Sequence, residues 1–176
     1  MKITRRIVVL IVAIFWLSGC APPTKEAMTA GSIQGMKRHQ HTVTIRVQGG
    51  NEIKDESPLR ITNDAFSAAI EESIIKNSLF TKVIHGSGSD YIINATIIDI
   101  STPAFGASMT ARIEVAWTLL NARSRDIVFR KSINSFYTAG AFAAFAGVTR
   151  VRIAIEGAAR KNIRQALMAI SELQLK

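Results

Sequence analysis

The chain has 176 residues, 48% of them hydrophobic, with 22 Lys and Arg against 13 Asp and Glu, for a net charge of +9. That length is enough for one unaided core, because a domain of about 150 residues buries roughly 68–70% of its unfolded surface. A single cysteine excludes an intramolecular disulfide framework, and the basic excess favours contact with anionic surfaces.

The first 20 residues fall into three parts. Lys2, Arg5 and Arg6 are positive, Ile7 to Leu17 is an unbroken apolar run of 11 residues, and Leu17-Ser18-Gly19-Cys20 follows. A charged start, a short apolar stretch and small residues form a secretory signal peptide, here residues 1–19. A membrane-spanning helix needs about 20 apolar residues, so the run predicts an export signal and not a permanent span. Its removal lowers Lys plus Arg from 22 to 19 and the net charge from +9 to +6. Leu17-Ser18-Gly19-Cys20 resembles the lipobox of bacterial lipoproteins. The resemblance implies recognition of Leu17, Ser18 and Gly19, cleavage before Cys20, an S-diacylglycerol on its thiol and an N-acyl group on its new amine. Several acyl chains anchor a protein stably. Ala21 stands where inner-membrane relatives carry Asp, which implies the periplasmic face of the outer membrane.

Residues 20–41 read as the lipidated cysteine and a flexible tether. Pro22, Pro23, Thr24, Gly31, Ser32, Gly35, Lys37 and Arg38 interrupt any periodicity, and a coil of ~20 residues reaches about 25 Å. Residues 42–176 read as one periplasmic domain. Val43, Ile45 and Val47 alternate with polar residues, as in a half-buried strand. Residues 63–79 predict a helix, capped by Thr62 or Asn63, with Phe66, Ala69, Ile70 and Ile74 at helical spacing. A short strand at 82–85 and the turn Gly86-Ser87-Gly88-Ser89 come next. Three long strands are expected at 90–100, 108–120 and 126–137. In the second, Met109, Ala111, Ile113, Val115, Trp117 and Leu119 share one side, so Trp117 should be buried between sheet and helix. In the third, Ile127, Phe129 and Ile133 are expected on the apolar side. Residues 148–173 predict a long helix with Val148, Val151, Ile155, Ala159, Ile163, Leu167 and Ile170 in its stripe. The order β-α-β-β-β-β-α predicts an α+β two-layer sandwich, with an antiparallel sheet of about five strands and two helices on one face.

Chemistry-bearing patterns are sparse. His39 and His41 lie two apart but lack the three or four ligands of a zinc site, and no metal or other cofactor is expected. His85 has no evident catalytic partner. Ser73-Ile74-Ile75-Lys76 matches Ser-x-x-Lys, yet its companion Ser-Asp-Asn and Lys-Thr-Gly motifs are missing. Arg152, Arg160 and Arg164 recur on one helix face and are candidate anion-binding residues, set against plain i, i+4 pairing with Glu156. Phe105, Phe142 and Phe145 lie in segments rich in Gly and Ala. A β-meander brings both segments to one end of the sheet, where they would form an apolar interaction patch.

From Asn63 onward the chain resembles a family of small proteobacterial envelope lipoproteins. The resemblance rests on Asp90-Tyr91-Ile92-Ile93-Asn94-Ala95-Thr96, Phe105-Gly106 with Met109, and Gly147-Val148, together with the lipobox. Relatives sometimes bear the name UDP-N-acetylglucosamine acyltransferase, but left-handed-helix acyltransferases need hexapeptide turns that this chain lacks. The resemblance implies a non-enzymatic binding or assembly module of the envelope. Its expected partners are the membrane, through the lipid, and an envelope protein, with no nucleic acid. The alternatives are a lipid or glycolipid carrier with an apolar mouth, or an envelope hydrolase or transferase.

Overall fold

The computed structural model describes residues 21–50, 60–102 and 106–176. Its elements are α1 (Lys25–Met28), β1 (Thr42–Gln48), α2 (Asn63–Asn77), β2 (Lys82–Val83), β3 (Tyr91–Ser101), β4 (Met109–Asn121), β5 (Ile127–Ala139) and α3 (Gly147–Ser171). Five strands form one open sheet in the order β2-β1-β3-β4-β5. The helices pack on one of its faces, giving the α+β class expected from the sequence.

The strands β3, β4 and β5 form the antiparallel meander, with Trp117 opposite both Ala95 and Lys131. The strand β1 departs from the all-antiparallel expectation, because it runs parallel to β2 and to β3. Parallel neighbours need a crossover connection, which is usually a helix. Here α2 follows β1 and returns the chain to the same end of the sheet. Thr62 caps α2 by accepting from the Ala65 amide at 3.2 Å, and Ser78 closes it in the left-handed conformation at φ 50°.

Burial follows the alternation of β4: Met109, Ala111, Ile113, Val115, Trp117 and Leu119 all lie inside. Trp117 is fully buried, with Phe66 of α2 6.2 Å away between ring centres. Its indole N–H donates to Asn162 Oδ1 at 2.8 Å. The Asn162 amide in turn donates to the Ile133 carbonyl and to Ser135 Oγ, tying α3 to β5. The helix sits close on β5 at Gly157, where a Cβ would lie 2.3 Å from the Tyr137 ring.

The alternation of β5 fails at its start. The pairing steps from Leu119–Phe129 to Leu120–Ile127, leaving Val128 as an extra residue. A bulge of this kind re-aims the side chains on one side of it. Ile127 is 46% exposed in consequence, not on the apolar side with Phe129 and Ile133.

The larger correction concerns residues 21–41. The stretch from Thr24 to Ile33 packs as a strap across α2 and α3, not as a free tether. Met28, Ala30 and Ile33 are core residues. The Ala30 amide donates to Ser73 Oγ at 2.9 Å, and the Ile33 amide to Asn77 Oδ1 at 2.7 Å. His39 is buried, with Nε2 3.0 Å from the Ile170 carbonyl and its ring on Phe80. These anchors are irregularly spaced, and their partners lie 40 or more residues away, so no local periodicity announces them.

Candidate functional site

The residues singled out in the sequence separate into three places. The first is a polar cleft of about 460 Å³ between the starts of β1 and β3 and the β4–β5 turn, with His41, Asp90, Asn121, Arg123 and Lys176 in its lining. Asp90 faces Thr42, whose amide and hydroxyl both donate to the carboxylate at 2.8 Å. Those two hydrogen bonds, the amide's first, hold the Asp90 pKa below the usual carboxylate value. In return Thr42 Oγ1 accepts from the Asp90 amide at 3.0 Å. Asn121 Oδ1 accepts from the Arg123 and Ser124 amides and so shapes the turn. The His41 ring meets Tyr91 edge-on at 5.1 Å. These groups knit strand ends together, and no nucleophile with a hydrogen-bonded base is found among them.

Elsewhere the expected motifs are structural. Ser73 is buried and donates to the Ala69 carbonyl while accepting from Ala30. Lys76 pairs instead with Glu72 at 2.8 Å, and this hydrogen bond holds the Glu72 pKa below its ordinary value. His85 lies 3.2 Å from Glu71 on the surface. The described residues contain no group of three or more His, Cys, Asp or Glu side chains suited to a metal. No helix among them is long and apolar enough to cross a membrane. An apolar groove of about 260 Å³ lies between Met36 and Met168.

The second place is the arginine face of α3. Arg152 Nη1 donates to the Ala21 carbonyl at 3.4 Å, and its Nε is 4.0 Å from Glu156. Glu156, only 7% exposed, accepts from the Thr24 amide at 3.0 Å. Arg160 donates to the Ala27 carbonyl and lies over the Tyr137 ring. The ladder therefore receives the strap. Two of the three candidate anion-binding arginines are committed to peptide carbonyls, and Arg164 is exposed. Sequence reasoning placed these residues on one face and missed their partner, because residues 21–29 carry no signal of their own.

The third place is the β5–α3 connection. Phe142 and Phe145 are 103% and 105% exposed, as free as side chains in an open chain. The backbone beneath them is braced. The Ala143 amide donates to the Gly140 carbonyl at 3.0 Å. Arg150 Nη1 donates to the carbonyls of Ala144 and Phe145 at 2.8 and 3.0 Å. No side chain caps α3, whose N-cap is Ala146. Phe105 lies outside the described residues, as do Leu17, Ser18, Gly19 and Cys20.

No family model and no curated protein matches the chain. Solved structures share its architecture. A protein of Xanthomonas campestris, XCC0632 of the DUF330 family, matches with a TM-score of 0.67 at 12% identity, over 85% of this chain and 93% of that one. The hypothetical protein CT253 of Chlamydia trachomatis matches with a TM-score of 0.58 at 10% identity, over 76% and 96%. A PelC dodecamer from Paraburkholderia phytofirmans matches with a TM-score of 0.52 at 10% identity, over 83% and 95%. At such identities the likeness is one of fold.

Proposed function

We propose that the chain is a lipoprotein held by Cys20 on the periplasmic face of the outer membrane. There it acts as a non-enzymatic binding or assembly module of the cell envelope, with an envelope protein as partner. The observation that carries this reading is the strap. A lipobox cysteine stands one residue before Ala21, and Ala21 is already fastened to the domain through Arg152. A lipid on that cysteine would therefore fix the whole domain at the membrane. The architecture also occurs in a dodecamer, that of PelC, so it can serve as an assembly subunit. The carrier reading has weaker support, since the groove at Met36 and Met168 is below the roughly 300 Å³ at which ligand pockets begin.

Cys20→Ala tests the anchor. It should abolish incorporation of labelled palmitate and leave unprocessed precursor in the cell. Cleavage at the same site, with continued sedimentation in outer membranes, would refute it. Crosslinking in intact envelopes, followed by mass spectrometry of captured proteins, reads out the partner.

A further inference from the structure

We infer that the β5–α3 loop is a second membrane contact, in which Phe142 and Phe145 enter the headgroup–acyl boundary of the leaflet that carries the Cys20 lipid. The inference rests on the lipidation proposed above and adds an orientation to it. Residues 21–27 run alongside α3 in the same direction, with Ala21 at Arg152, Thr24 at Glu156 and Ala27 at Arg160. The chain thus comes onto the domain from the N-terminal end of α3. Consecutive Cα atoms are about 3.8 Å apart, so a lipid on the residue before Ala21 would enter at this end of the domain. From Arg152 back to Gly147 is about 7.5 Å of helix, and the phenylalanine loop begins there. Anchor and loop share one end of the molecule.

The loop's chemistry suits lipid. From Ala139 to Val148 every residue is Ala, Gly, Phe or Val, so immersion buries no polar side chain. A protein interface would ordinarily surround such a centre with a polar rim, and this segment supplies none. Its backbone is set in advance by Arg150, so the two rings are presented on a fixed frame. Arg150 and Arg152 donate hydrogen bonds to the loop and to the strap, at Ala144, Phe145 and Ala21, and so hold the two segments at the same end of α3. Exposed aromatic rings on a braced apolar loop beside a lipid anchor match the aromatic contacts that proteins make at a membrane interface.

Phe142→Trp and Phe145→Trp, each in the mature full-length protein purified from membranes, provide the test. Each is reconstituted in vesicles of phosphatidylethanolamine with a minority of phosphatidylglycerol, with or without brominated acyl chains. Trp16 leaves with the signal peptide, and buried Trp117 gives the same background in every sample. The expected result is a blue-shifted emission, quenched by brominated chains, from both variants. Water-like emission with a confirmed lipid mass on Cys20 would overturn the loop contact and leave the anchor standing. Shielding from aqueous iodide without quenching by brominated lipid would overturn it in favour of a protein neighbour. An unmodified Cys20 in the mature protein would remove both proposals.

Discussion

Two segments without periodic pattern meet opposite fates in this molecule. The strap, residues 24–33, is the more polar one, yet it buries Met28, Ala30 and Ile33 and is hydrogen-bonded to α2 and α3. The β5–α3 loop is almost wholly apolar, yet it holds Phe142 and Phe145 fully in the open. Hydrophobicity per residue does not decide between them. Burial requires partners for the backbone as well as for the side chain. The strap finds them in Ser73, Asn77, Glu156 and Arg160. In the loop the Gly140 carbonyl accepts from Ala143 and those of Ala144 and Phe145 accept from Arg150 of α3, while the two rings stay in the open.

The sharpest way to break the contrast is at the strap. Met28→Ala should destabilise the domain by roughly 2–5 kcal/mol, the cost of a cavity at a fully buried position. Denaturant titration measures it, and an unchanged midpoint would mean that residues 24–33 are loose in solution. A smaller effect is expected at Asp90. Its folded pKa is lowered by Thr42, so its contribution is present above the unfolded carboxylate value and is lost as pH falls through the folded one. Asp90→Asn should therefore flatten part of the acid limb of a stability–pH curve and leave the neutral limb parallel to that of the parent. Glu72 shifts in the same direction through Lys76 and stays in both proteins, so the difference isolates Asp90. The smallest effect belongs to the loop. Phe142→Ser with Phe145→Ser should change stability by no more than about 0.5 kcal/mol, as for surface sites. A large loss on thermal or chemical unfolding would show that the rings pack inside the protein after all.

The elements themselves were legible because their signal is local. Strict alternation marks β4 and places Trp117 inside, and helical spacing marks α2 and α3 to within two residues at each end. The candidate site was legible only in pieces. Arg152 and Arg160 stood out as a ladder, but nothing adjacent in sequence shows that their acceptors are the carbonyls of Ala21 and Ala27. The exit of Ile127 from the apolar side needs a bulge, which depends on how two strands register and not on either strand alone.

Spacing and composition thus determined on their own that α2, α3 and the strands form and which face of β4 turns inward, because periods of two and 3.6 residues are properties of neighbouring residues. Tertiary structure decided the rest. The parallel placement of β1 follows from where α2 delivers the chain. The strap's burial follows from hydrogen-bond partners more than 40 residues away. The freedom of Phe142 and Phe145 follows from a loop whose backbone is braced by Arg150 of α3 while its rings meet no packed surface. Each of these depends on surfaces that exist only once the helices lie on the sheet.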